Sequence, residues 1–169
     1  YISQRNIEGM LTGTTVAFIL ISLLLTFALK DLKLGAVSLV PNLVPALMAF
    51  GIWAAFIGQV DVAASIVTAT SLGIIVDATV HFLSKYQRAK RQRGDDTPQA
   101  IRYAFSTVGT ALWVTSAILI AGFAILSLSA FRINQELGML TAITLVCALF
   151  ADFLLLPALL LTVDKDKKP

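Results

Sequence analysis

The chain has 169 residues, 57% of them hydrophobic and 14% charged, with a mean hydropathy of +0.84 and a formal charge of +3. A water-soluble domain runs nearer 45–50% apolar and about 25% charged, and a disordered chain is poor in Leu, Ile, Val and Phe, so both classes are excluded. Cys147 is the one cysteine and His81 the one histidine, which rules out an internal disulfide and a histidine-rich metal site; the composition is that of an all-α membrane protein.

A helix crossing the roughly 30 Å hydrocarbon core needs about 20 apolar residues. Residues 1–9 are polar and read as the end of an extracytoplasmic region, and a start at Tyr1 suggests a piece of a longer protein. Five apolar runs follow, forming a transmembrane bundle over 10–163. The first covers about 10–29 and stops at the Lys30-Asp31-Leu32-Lys33 break. The second, about 36–57, carries Pro41 and Pro45, which are expected to kink or delay it. The third covers about 62–83, the fourth about 108–129 and the fifth about 137–163. Each satisfies its own backbone N–H and C=O groups in lipid by being helical.

Between the third and fourth runs lies the longest connection, 84–107, read as a cytoplasmic loop. Within it Thr97 reads as an N-cap ahead of Pro98. Ile101, Ala104, Phe105 and Val108 follow at helical spacing, with Arg102 turned away, so a short interfacial helix is expected to run into the fourth span. The basic run from Lys85 to Arg93 next to a membrane span reads as a topology signal touching anionic lipid rather than as a nucleic-acid site.

The loops set an orientation. Eleven of the thirteen basic residues fall in the connection at Lys30–Lys33, in 84–107 and in the tail 164–169; only Arg5 and Arg132 fall on the other side. The richer side is expected to be cytoplasmic. The N-terminus then starts outside the cell membrane and the C-terminus ends inside.

Eight of ten acidic residues lie in loops or at helix ends; Asp77 and Asp152 do not. A carboxylate at membrane depth costs on the order of 2.5–3.5 kcal/mol even on the lenient insertion scale, and normally faces a bundle interior or a water-filled path. Thr70, Gly73, Asp77, His81 and Ser84 recur at spacings of three and four and share one helical face. Asp77 lies on the order of 12 Å inward from Lys85, and His81 is one turn from it. A carboxylate beside an imidazole, which titrates near pH 6.5 in water, suits a proton relay. Gly73 permits close helix approach or a water pocket on the same stripe. Asp152, midway between Glu136 and Lys165 and beside the small Ala148 and Ala151, either completes the relay or is a structural hydrogen-bond partner. Thr115 and Ser116 are cheaper polar groups that bond to their own helix or join the relay.

The third run, Gly73-Ile74-Ile75-Val76-Asp77-Ala78-Thr79-Val80-His81-Phe82-Leu83, resembles the GxxxD(D) helix of the resistance–nodulation–division (RND) superfamily, especially its MMPL, hopanoid-exporter and Patched-like branches. Val40-Pro41-Asn42-Leu43-Val44-Pro45 is similar to the second helix of that block. Thr115-Ser116 with Gly122-Phe123, and Ala151-Asp152-Phe153-Leu154-Leu155-Leu156-Pro157, are similar to its fourth and fifth helices. The resemblance covers almost the whole chain. It implies one five-helix block, the C-terminal half by its single acid, of a transporter that couples inward proton flow to export of lipid or other hydrophobic substrates. It also implies partners in the other half, the extracytoplasmic porter domains and membrane lipid, and a bacterial-type inner-membrane location. By the same implication Asp77 binds the proton and Gly73 supports it. Ala78 departs from the doubled acid of many members.

The expected proton relay is therefore Asp77, His81, Asp152, Thr70 and Ser116, with no cofactor, metal or nucleic acid. A non-transporting sterol- or lipid-sensing block acting through a partner is the alternative, because sterol-sensing domains resemble the same five helices. An intramembrane enzyme is not expected: Asp77 and Asp152 could meet as an aspartyl pair, but protease motifs, a phosphate loop and a Ser/His/Asp set are missing.

Overall fold

A computed structural model describes residues 2–29, 31–56 and 62–164; for 2–11, 14, 28, 56, 62–66, 68 and 69 it describes the backbone only. Five long helices account for nearly all of it: α1 (Ile2–Leu29), α2 (Leu32–Phe56), α3 (Val62–Arg88), α4 (Thr97–Leu126) and α5 (Arg132–Val163). At about 1.5 Å per residue, each is longer than the roughly 30 Å hydrocarbon core. Three described stretches are both long and apolar enough to cross a membrane, namely Leu32–Ala55, Thr97–Leu126 and Arg132–Val163. The expected spans 10–29 and 62–83 fall partly on residues whose side chains lie outside the description, as do the basic residues of the tail.

Several ends differ from expectation for identifiable reasons. α1 is helical from Ile2, so the polar segment 1–9 is, from its second residue, the first turns of that helix. Asp31 starts α2 early: its carboxylate accepts from the backbone N–H of Lys33 (3.0 Å) and Leu34 (3.3 Å), which caps two otherwise orphaned donors. The helix then runs through both Pro41 and Pro45 without being delayed. α3 continues past Leu83 to Arg88, adds a wide π-turn over Ala89–Arg93 and stops at Gly94, whose φ of 67° is the left-handed cap that glycine takes without a Cβ penalty. The connection expected over 84–107 is therefore mostly helix.

The N-cap of α4 is Asp96, one residue before the expected Thr97; its carboxylate accepts from Gln99 N–H at 2.9 Å. Thr97 is buried instead and donates to the Asp164 carbonyl at 2.6 Å. The amphipathic face appears as the spacing predicts: Ile101 and Ala104 are buried while Arg102 is exposed. α4 passes without interruption, through a π-turn at Phe105–Gly109, into Thr110–Leu126. α5 carries a further π-turn, Ala151–Leu155, just ahead of Pro157. Pro157 has no N–H to donate and its ring crowds the preceding turn, and a locally widened helix absorbs both effects.

Glycine decides two of the helix contacts. A Cβ on Gly35 would lie 2.7 Å from Thr26 Oγ1, and one on Gly138 would lie 2.5 Å from Ser127 N and 2.7 Å from the Phe123 carbonyl. These positions let α1 and α2, and α4 and α5, meet backbone to side chain and backbone to backbone. Gly73, expected to permit either close helix approach or a water pocket, has nothing within 4 Å of its would-be Cβ.

The core has three layers along the helix axes. At one end Leu34, Val37, Phe82, Leu83, Tyr86, Ile101, Leu156 and Leu160 pack together. The Phe105 ring bridges this cluster edge-on to Phe82 (4.8 Å between centroids) and to Phe153 (5.4 Å). At the other end Ala49, Trp53, Val67 and Leu140 form a smaller apolar cluster. Between the two, on α2, α3 and α5, polar residues are buried among apolar ones: Asn42, Ser71, Thr79, Thr141, Thr144 and Asp152 beside Ile75, Leu145, Ala148 and Ala151.

A polar clamp closes the end where α1, α3 and α5 finish and α2 and α4 begin. Tyr86 O–H donates to the Asp164 carboxylate, Lys90 Nζ lies 3.7 Å from the same carboxylate and 3.0 Å from Thr97 Oγ1, and Gln87 donates to the Leu29 carbonyl. Arg91 reaches Asp31 at 3.9 Å, and Arg93 stacks over the Tyr103 ring at 4.7 Å.

Candidate functional site

α3 supplies two chemically different faces. On one, Asp77 and His81 stand one turn apart, with His81 Nε2 3.5 Å from Asp77 Oδ1. Their side chains are 76% and 60% exposed, respectively. The open space beside them is a groove of about 280 Å³ against α4, closed on the far side by Leu112, Thr115, Ser116 and Leu119. Ala78, standing where a second acid would widen the charge, lines the same groove as a small apolar residue. The groove thus joins a carboxylate, an imidazole and two hydroxyl side chains in one cleft, groups able to pass a proton along a chain of water or hydroxyl contacts.

Three of the expected relay residues, Asp77, His81 and Ser116, meet in that groove. Thr70 does not: it lies two turns away on the exposed side of α3, and its hydroxyl donates to the Val67 carbonyl at 3.3 Å. Gly73 faces open space beside the groove rather than another helix.

Asp152 lies on the opposite side of α3 and is only 6% exposed. Its Oδ1 is 3.0 Å from Thr79 Oγ1, which is itself 2.8 Å from Asn42 Oδ1. The Thr79 hydroxyl also lies 3.2 Å from the Ile75 carbonyl one turn back. Three helices therefore converge on one hydroxyl. Ala148 and Ala151 are buried next to the acid, as their small size suggests. Asp77 and Asp152 consequently do not form an aspartyl pair. Asn42 and Thr79 were overlooked as site residues because a lone hydroxyl or amide in a helix is ordinarily neutral. The available signal was Ser71, Ile75 and Thr79 at four-residue spacing on the face opposite Asp77.

The described residues form an all-α bundle in which three helices are long and apolar enough to cross a membrane. The sequence pattern of the MMPL family matches residues 2–168, so the chain belongs to the MMPL family, a member of the RND superfamily. A curated protein of Methanocaldococcus jannaschii, named "Putative membrane protein MJ1562", is 26% identical over 162 residues, covering 96% of this chain and 42% of that protein. The chain thus spans less than half the length of the relative it matches.

Proposed function

We propose that this chain is one five-helix half, the C-terminal one, of a proton-driven exporter of lipid or another hydrophobic substrate. All five helices cross the cell (inner) membrane, with the N-terminus extracytoplasmic and the C-terminus cytoplasmic. Asp77 takes up and releases the proton, His81 exchanges it one turn nearer the cytoplasm, and Ser116 contributes a hydroxyl from α4.

The observation that carries this reading is the Asp77–His81 pair opening into a groove shared with Thr115 and Ser116. An acid and a base so exposed would be costly against hydrocarbon. Membership of the RND superfamily and a relative more than twice as long support the reading in which the open face of α3 is met by the other half of the protein. The clustering of Lys33, Arg88, Lys90, Arg91 and Arg93 around the Asp31 and Asp164 end supports the orientation. Substrate selection then rests with extracytoplasmic porter domains outside this chain.

The test is proton flux in proteoliposomes carrying the full-length protein and an internal pH dye. Asp77→Asn is expected to abolish substrate-dependent acidification while membrane insertion and abundance stay at wild-type level. Undiminished proton flux in that variant would overturn the relay.

A further inference from the structure

We propose that Asp152, Thr79 and Asn42 form a second proton-binding site, enclosed between α2, α3 and α5 and separate from the Asp77–His81 groove. The argument is a count of protons. Asn42 Oδ1, Thr79 Oγ1 and Asp152 Oδ1 form a file with steps of 2.8 and 3.0 Å. Two hydrogen bonds need two protons, and the Thr79 hydroxyl brings one.

With Asn42 placed as it stands, Thr79 gives its proton to the Asn42 carbonyl. The remaining proton then sits on the Asp152 carboxyl, which donates to Thr79 Oγ1. Turning the Asn42 amide by half a revolution reverses the file: Nδ2–H donates to Thr79, and Thr79 donates to an ionised Asp152. In the first arrangement Asn42 Nδ2 is fully buried and has no partner; in the second it gains one. Each protonation state of Asp152 thus has its own chain of hydrogen bonds, reached by rotating one amide and one hydroxyl. No backbone has to move.

Among the described residues no charged side chain hydrogen-bonds to this file apart from Asp152 itself. The groups facing Asp152 are Asn42 from α2 and Thr79 from α3, both uncharged, while Asp77 and His81 leave α3 on the other side. The nearest titratable group along α5 is the Cys147 thiol. Two further buried hydroxyls without partners, Ser71 and Thr141, stand about two turns from Thr79 and three from Asp152, toward the Trp53 end. They extend the polar layer as stations for a proton arriving from that side.

Because the site shares no residue with the groove, it does not depend on the proposed relay, and the two can fail separately. The experiment is infrared difference spectroscopy of the full-length protein in lipid nanodiscs during a pH titration. A protonated-carboxyl band is expected that vanishes in Asp152→Asn, persists in Asp77→Asn and shifts in frequency in Thr79→Val, with Thr79→Ser restoring the wild-type position. A carboxyl region unchanged by Asp152→Asn and by Thr79→Val at every pH overturns the proposal, as does a band that responds to sodium at fixed pH. Loss of the band in Asp77→Asn, with the band retained in Asp152→Asn, would place the titrating carboxyl in the groove and sink the second site. Should Asp152→Asn fail to fold, the Thr79→Val and Thr79→Ser pair decides the question by itself.

Discussion

Asp77 and Thr79 are two residues apart on α3 and face opposite surroundings: the Asp77 side chain is 76% exposed in the α4 groove, and Thr79 is fully buried against Asn42 and Asp152. A helix turns about 100° per residue, so a two-residue step carries a side chain about 200°, to the opposite face of the axis. The helix that carries the exposed acid therefore also holds the hydroxyl that serves the hidden one.

Thr79→Val removes that hydroxyl while keeping its shape, leaving the Asn42 amide and Asp152 carboxyl without their common partner. The variant is expected to lose about 1–3 kcal/mol of stability, read as a lower midpoint of thermal unfolding in detergent. Thr79→Ser restores the donor and should recover most of the loss. Equal midpoints for all three proteins would show that the file of hydrogen bonds contributes nothing.

Gly138→Ala and Gly73→Ala should separate sharply. The first places a methyl 2.5 Å from Ser127 N and 2.7 Å from the Phe123 carbonyl, both backbone atoms that cannot swing away. Overpacking of this kind costs about 1–3 kcal/mol, and the α4–α5 hairpin is where it falls. The second meets open space and replaces a poor helix former by the best one, a gain of up to about 1 kcal/mol. Unfolding midpoints measured side by side check both signs.

Asp31→Ala uncaps α2 and breaks the 3.9 Å approach of Arg91. A loss of about 1 kcal/mol is expected from the cap. Hydrogen exchange at Lys33 and Leu34 should accelerate locally while the amides of Phe82 and Leu83 keep wild-type protection. Uniform acceleration throughout would place Asp31 in the global fold instead.

Ser116→Phe fills the groove between α3 and α4 while leaving both titratable side chains in the sequence. Proton flux is expected to fall severalfold while the protein inserts and unfolds as the wild type does. Wild-type flux with a blocked groove would remove Ser116 and its cleft from the relay.

The five helices were legible because apolar runs of this length have few other folds open to them. Their ends were less so, since ends depend on single side chains: Asp31 and Asp96 outcompete their neighbours as caps, and Pro41 and Pro45 are absorbed inside α2 rather than ending it. The acid–base pair was readable from Asp77 and His81 because four-residue spacing puts both on one face whatever surrounds them. The placement of Asp152 was not, since its partners come from positions 37 and 73 residues apart around Thr79, and no local pattern joins them. Gly73 likewise left two readings open, a close approach or a pocket, since a small residue permits an approach but does not say whether a neighbour makes one.

The clamp of Tyr86, Lys90, Thr97 and Asp164 has a mechanical consequence. These side chains, with Gln87 on Leu29 and Arg91 on Asp31, fasten all five helices to one another at a single end. Helices fastened in this way tilt rather than slide, and a rotation at the clamp reaches the opposite tips as far as the Trp53 cluster and the Gly138 contact give way. A bundle so built acts as a set of levers on a common fulcrum, with the acid–base groove and the buried polar layer both lying partway along the arms.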